Sequence, residues 1–444
     1  MKKKCFFRWI GVLSICLLVG MLSPLAKAEE KAVKIGVVGP MKFMAGMGVW
    51  AACQIAAEEI NAAGGIMVKN EKYKIELFQA DSNEYLSVPD AVSATEKLIT
   101  VNKVNALVGA FRSEAALAQQ EVTGDNKVLF LGVQAAHPKL CERVKGNYDR
   151  YKYFFRFGAL NSVYLGEVGY AYIGLVKNAL KEKLGTEKFR VAIQYEKAVW
   201  ADPIVKIAEE RLPKLGFEVV RTGRHSATAT DLTSELTAIK AAGAHLMFTG
   251  GAGPASHILA KQWGELQIPA ALVSISTPSA EKQHWEATGG GCNYEVMLCP
   301  MGRVSASPKT IPFYDKFVKR ENDYPSAGGQ MAAYDAVYIL KESIERAGSL
   351  NNDAVVAAME KTYYMGTLGR FAFHPLDHKW PHDVIWGPKN ITYSGGQWQN
   401  GNLEIVWPDG LPLWGDETWK GVRFKGTVDY KLPPSVINYW KGKK

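Results

Sequence analysis

Arg112 and Ser113 stand side by side where a segment of helical period begins, and Lys42 and His137 lie on other loops that follow apolar, strand-like runs. A guanidinium beside a hydroxyl at a helix N-terminus suits an anion. The guanidinium grips a carboxylate with two parallel N–H groups, and the first backbone N–H groups of the helix have no intrahelical acceptor. Phe43, Met47 and Trp200 supply surface that would bury an apolar or aromatic body. Arg112 suits a surface ion pair equally well, and Trp200 suits lobe packing; from sequence alone these alternatives stand beside the ligand reading.

Other residues carry weaker chemistry. Gly46, Gly48 and Ala51 form a GxGxxA between a strand and a helix, but the first glycine comes several residues after the strand, so the tight turn of a dinucleotide site is missing. These glycines are expected to leave room for a ligand and a loop. No GxSxG, HExxH, phosphate-loop lysine motif or CxxCH occurs, and Asp81 at a strand end fits a cap or loop hydrogen bond better than an acid catalyst. No enzyme activity, cofactor or metal is therefore expected. Beyond the N-terminal segment four cysteines remain, Cys53, Cys141, Cys292 and Cys299. Cys292 and Cys299, closely spaced around a predicted strand, are the expected disulfide in an oxidising compartment, while a Cys53 to Cys141 bridge is left open.

That compartment follows from the first residues. Lys2, Lys3, Lys4 and Arg8 precede an apolar run from Ile10 to Leu22, and Ala26-Lys27-Ala28 supplies a small-x-small cleavage site, so residues 1–28 read as a signal peptide cut after Ala28. The run is shorter than the roughly 20 residues of a membrane span and no comparable one follows, which predicts a periplasmic chain without membrane insertion. Five of the nine net positive charges leave with Lys2, Lys3, Lys4, Arg8 and Lys27, so the charge implies no nucleic-acid partner.

The elements that must position the candidate residues alternate between short runs rich in Val, Ile, Leu and Phe and segments of helical period, the pattern of parallel strands with crossover helices. Val33 to Pro40, "YKIELFQADS", "VNALVGAF" and "VLFLGVQ" predict a four-strand doubly wound unit, with helices from Trp50 to Ala63, from Val88 and from Ser113. The alternation restarts after "YFFRFGALNS" with "FRVAIQYE", "FEVVRTG", "AHLMFTGG" and "AALVSIS". "YEVMLCPMG" follows, and helices over Ala327 to Ala347 and Asp353 to Thr362. The last stretch is rich in Trp, Gly and Pro, and "ITYSGGQWQNGNLEIVW" predicts a hairpin. Its aromatic residues are expected to cap the second lobe. The fold class is thus α/β, two doubly wound parallel-sheet lobes. Ligands of such sheets bind beyond the carboxyl ends of the strands. That rule picks out Phe43, Met47, Arg112, Ser113, Gln134, Ala135, Ala136, His137, Trp200, Gly251, Ala252 and Ser276 as the candidate binding residues.

The ordered succession "KIGVVGPM", "AAEEINAAGGI", "ALVGAFRSEAALA", "LGVQAAHPKL", "FFRFGALNS", "YEKAVWADPIVKIAEE" and "FTGGAGPASHILAKQWGELQIP" resembles the periplasmic leucine/isoleucine/valine-binding family of transport receptors. The resemblance implies a type I periplasmic-binding fold with three hinge crossings, here near Arg156, Met301 and Phe373. Lobe 1 would hold residues 29–156 and 302–373, and lobe 2 residues 157–301 and 374–444. It further implies a monomer that closes on a small solute and delivers it to the membrane permease of an ABC transporter. Where the family holds an amino acid with a hydroxyl, a Thr, a Tyr and an acidic residue, this chain has Ser113, Ala136, Trp200 with Ala252, and the neighbourhood of Ile275 and Ser276. Only Ser113 matches. A ligand ammonium would be buried without a counter-charge, so a small anionic organic solute, a carboxylate, is expected instead. Branched-chain amino acid or amide binding, a sensory receptor of the same fold and a secreted hydrolase are the rival readings.

Overall fold

The computed structural model describes residues 31–158, 160–298, 302–408 and 423–443. The expected signal peptide, Cys299 and Met301 lie outside them. The first sheet contains β1 (Ala32–Gly39), β2 (Ile66–Val68), β3 (Glu71–Asp81), β4 (Ala106–Gly109), β5 (Leu129–Gly132) and β6 (Phe154–Arg156), in the order β2-β3-β1-β4-β5-β6. All its neighbours are parallel except β2 and β3, which form an antiparallel edge. The four-strand unit expected from sequence is therefore a six-strand sheet. The two additions are three-residue strands, too short for a periodicity to show.

The second sheet begins with β7 (Phe189–Glu196), β8 (Phe217–His225), β9 (Leu246–Gly251), β10 (Ala271–Ser276) and β11 (Val296–Leu298). A small separate ribbon follows, β12 (Tyr364–Gly366) with β13 (Gly369–Phe371), and the chain then returns to the second sheet with β14 (Gly395–Gln399) and β15 (Asn402–Trp407). Its order is β15-β14-β11-β10-β9-β7-β8, parallel except for the terminal hairpin. Asn400 and Gly401 make that hairpin's turn, both at positive φ (54° and 89°), the conformation for which Asn-Gly is suited.

Several expectations are corrected. The first helix runs Met44–Ala62, so Gly46 and Gly48 lie inside it and not in a ligand loop. A Cβ on Gly48 would come within 2.3 Å of Gln330 Nε2, so this glycine serves close packing. The helix expected from Ala327 opens with a wide π turn, Ala327–Met331, before its α-helical part Ala332–Ala347. Cys53, Cys141 and Cys292 are free, buried thiols. Cys292 packs in the second sheet's core beside Trp398, and its expected disulfide partner, Cys299, lies outside the described residues.

The tryptophans divide between the halves. Trp398 donates to Ser279 O (2.9 Å), and Trp440 donates to Pro269 O (2.7 Å) while stacking on His245 at 4.0 Å, both on the second sheet. Trp380 instead packs with Val38, Leu107 and Phe130 in the first. The chain around it follows β6: Arg156 N–H donates to His382 O (3.0 Å). Residues 374–384 thus sit on the first sheet, past the boundary expected at 373. Among the described residues no helix is long and apolar enough to cross a membrane.

Buried ionisable groups give the fold a pH signature. Asp335 is fully buried, with one oxygen accepting from Thr367 N–H (2.7 Å) and hydroxyl (2.6 Å), and burial lifts its carboxyl to about 7. A carboxyl raised above its unfolded value near 3.9 contributes stability that is complete below that value and lost as pH rises through about 7. His245 and His374, lowered by burial to about 4, oppose this: their contribution is lost as pH falls below about 6.5. Asp335→Asn carries no titrating carboxyl. Relative to the parent it will gain on the order of 1–3 kcal/mol as pH rises from about 5 to about 8. Thermal midpoints of the two proteins that ran parallel across this window would contradict the assignment.

Candidate functional site

The two sheets present their strand ends to one another, and the loops that follow β4, β5, β7, β9 and β10 converge on one small cavity. Its walls include Phe111, Ser113, Gln134 and Ala136 from the first sheet's side, and Trp200, Gly251, Ala252, Ser276 and Thr277 from the second. Leu165, Leu298 and the Ser326–Gly329 loop complete it. Its volume of about 70 Å³ has room for roughly five water molecules, at the 10–15 Å³ each that such a measure requires. It adjoins a wider mouth of about 570 Å³, with Ala252 and Thr277 common to both.

The local sequence explains the polar atoms. Ser113 is the first residue of the helix Ser113–Asp125, and its hydroxyl oxygen accepts from the N–H groups of Ala136 (3.2 Å) and His137 (3.1 Å). Its own hydrogen is thereby left to donate. Ser276 Oγ similarly accepts from Ser279 N–H (3.2 Å) and hydroxyl (2.8 Å). The indole Nε1 of Trp200 is buried and has no hydrogen-bond partner among the described residues. A Cβ on Gly329 would come within 2.7 Å of Gln134 Nε2, so the glycine keeps that wall open for the amide. Among the described residues no ionisable side chain lines this inner cavity.

The structure therefore brings Ser113, Gln134, Ala136, Trp200, Gly251, Ala252 and Ser276 around one space. Phe43 and Met47 lie outside it, in the mouth with Lys42, and the Phe43 ring packs tilted against Tyr85, ring centres 4.7 Å apart. Three expected residues do not line either space. Ala135 and His137 turn their carbonyls to Arg156, which donates to both. Arg112 is already paired: Nε meets Glu114 Oε1 at 2.6 Å and Nη1 meets Glu196 Oε1 at 3.0 Å. The two-pronged anion grip expected of it is spent on carboxylates of the protein itself. Behind it, Glu84 accepts from the N–H groups of Phe111 (3.2 Å) and Arg112 (2.6 Å), and burial pushes its carboxyl up to about 7. Tyr85 carries no sequence signal; the Gly328-Gly329 pair before the long helix is the sign that could have flagged the Ser326–Gly329 loop.

A second polar cluster lies in the wall of the mouth. His257 Nδ1 meets His284 Nδ1 at 2.8 Å, His284 Nε2 meets Glu295 Oε2 at 2.9 Å, and Ser274 donates to Glu295 Oε1 at 2.6 Å. Ser274 reaches the carboxylate and not an imidazole, so this cluster does not form a serine–histidine pair. Among the described residues no group of three His, Cys, Asp or Glu could hold a metal ion.

Two parallel-rich sheets whose strand-end loops line one shared cavity form the type I periplasmic-binding architecture. The chain matches the periplasmic binding protein family over residues 32–387 and belongs to it. This is a family of non-catalytic solute-binding proteins. An amino acid binding protein of Pseudomonas aeruginosa (strain PAO1) is 27% identical over 376 residues, 83% of this chain and 91% of that one. The branched-chain amino acid transporter substrate-binding protein LivJ of Streptococcus pneumoniae, solved with isoleucine, superposes with a TM-score of 0.69 at 21% identity, covering 85% of this chain and 100% of that one. A solute-binding protein of an ABC transporter from R. palustris, solved with benzoate, gives 0.67 at 15% identity over 84% and 95%. At these identities the solved structures establish the fold alone.

Proposed function

We propose that the protein is the extracytoplasmic receptor of an ABC importer and that its solute is a small organic carboxylate without a charged amine, its body flat or branched. The observation that carries this reading is the uncharged lining of the inner cavity. A ligand ammonium there would be desolvated without a counter-charge, a cost of several kcal/mol. A carboxylate would meet the Ser113 hydroxyl, the first N–H groups of the helix Ser113–Asp125 and the free indole N–H of Trp200, all donors. Phe111, Leu165, Ile275 and Leu298 would cover its apolar part. The R. palustris receptor solved with benzoate supports the ligand class by analogy. The lobes would pivot on the crossings near Arg156 and Phe373, and the permease would recognise the closed form, which ligand favours by binding it better than the open one.

A thermal-shift screen of benzoate, 4-hydroxybenzoate, a branched 2-oxo acid, leucine and isoleucine tests this. At 100 times Kd a ligand adds about 2.7 kcal/mol of stability, enough to raise the melting temperature by several degrees. The amine-free carboxylates are expected to do so. A rise with leucine and isoleucine alone would overturn the ligand class.

A further inference from the structure

We infer that Arg112 and Glu196 form a reversible latch that closes the cleft in the absence of solute and thereby sets its affinity, without either residue touching the solute. The pair spans the two halves: Arg112 precedes the helix that follows β4, and Glu196 ends β7. It is shielded, with Arg112 9% and Glu196 1% exposed, so water and salt weaken it little. A second bridge lies beside it, in which Tyr85 donates its hydroxyl to Ala252 O at 2.8 Å, with the Arg112 guanidinium 5.9 Å from the Tyr85 ring centre. The bridges meet in one loop, because Glu196 Oε2 also accepts from the N–H groups of Ala252 (2.7 Å) and Gly253 (2.9 Å).

Two features separate a latch from a rivet. Each partner keeps a second partner on its own half: Arg112 holds Glu114 at 2.6 Å, and Glu196 holds the two backbone N–H groups. Opening the cleft therefore strands neither charge, and the pair can break and re-form. The latch also acts on both walls of the inner cavity, since Arg112 lies between Phe111 and Ser113 while Glu196 fixes the Gly251-Ala252 wall. Closing it places both walls at once. A solute then binds a larger closed fraction, and apparent affinity rises in proportion to that fraction.

This inference rests on the receptor proposed above, deepening how its site is regulated, and its first test needs no solute. Small-angle scattering of the ligand-free protein will show a larger radius of gyration for Arg112→Gln and for Glu196→Gln than for the parent. Gln at position 196 keeps an oxygen for Ala252 and Gly253, so it serves where Arg112→Gln folds poorly. The double variant will be no more open than the singles. Glu114→Gln removes the competitor for Arg112 and will shift the protein the other way, to a more compact form. With benzoate as probe the two singles will bind on the order of tenfold more weakly and Glu114→Gln no more weakly than the parent. Ligand-free scattering indistinguishable among parent and variants would overturn the latch. So would additive losses in the double variant, which would mean that Arg112 meets the solute directly. Failure of the receptor reading looks different: the variants open as described, yet no compound shifts the scattering or melting of any of them.

Discussion

Replacing Arg156 by alanine will destabilise the protein by roughly 3–5 kcal/mol, the largest loss expected from any single change away from the cavity. Arg156 and Asp383 are both 0% exposed and meet at 3.0 Å. Asn161 donates to Asp383 at 2.8 Å, and Arg156 also donates to the carbonyls of Ala135 and His137. The substitution leaves a buried carboxylate without its cation and two carbonyls without a donor. In contrast to Arg112, neither charge has another ionic partner among the described residues, so the pair cannot open at small cost. Asp383→Leu will lose a comparable amount, and the double variant Arg156→Met with Asp383→Leu less than either single, since no charge is then stranded. Urea unfolding measures this through the midpoint at constant slope. Single variants within about 1 kcal/mol of the parent would show that the pair contributes little.

At the cavity, Trp200→Phe is expected to weaken binding of a carboxylate solute about tenfold to a hundredfold, beside a packing cost of roughly 1–2 kcal/mol in unfolding free energy. Phenylalanine keeps an aromatic face toward Tyr195 but loses the pyrrole ring, so the stability cost is one of packing, while the lost N–H, without a partner among the described residues, registers in ligand binding. Ser113→Ala will weaken binding similarly and also cost on the order of 1–3 kcal/mol of stability, because the N–H groups of Ala136 and His137 lose their acceptor. Calorimetry with whichever acid the screen identifies separates the two. A Trp200→Phe affinity within about threefold of the parent would make the indole a packing surface only.

The local elements were legible because their signals are local. "FRVAIQYE" predicts β7 residue for residue, and the Asn-Gly turn predicts the hairpin of β14 and β15. The helix Ser162–Leu184 was not legible: Leu165, Val168, Tyr170, Tyr172, Ile173 and Val176 bury several of its faces, so no single apolar stripe marks it. The candidate site was half legible. Strand-end logic brings Ser113, Gln134, Trp200, Gly251 and Ser276 to one place, because in a parallel sheet chain order and strand direction dictate which loops share an edge. It could not say that Arg112 is taken, since Glu196 lies 84 residues away and nothing between them encodes the meeting.

By itself, then, the sequence determined the alternation of strands and helices and the edge of each sheet at which the candidate loops gather. Only the tertiary structure decided which charges face each other. It made Arg156 a rivet, Arg112 half of a bridge between lobes and Trp200 the owner of an unclaimed N–H. Periodicity acts over a few residues, whereas ion pairing and burial depend on distances set when remote segments pack.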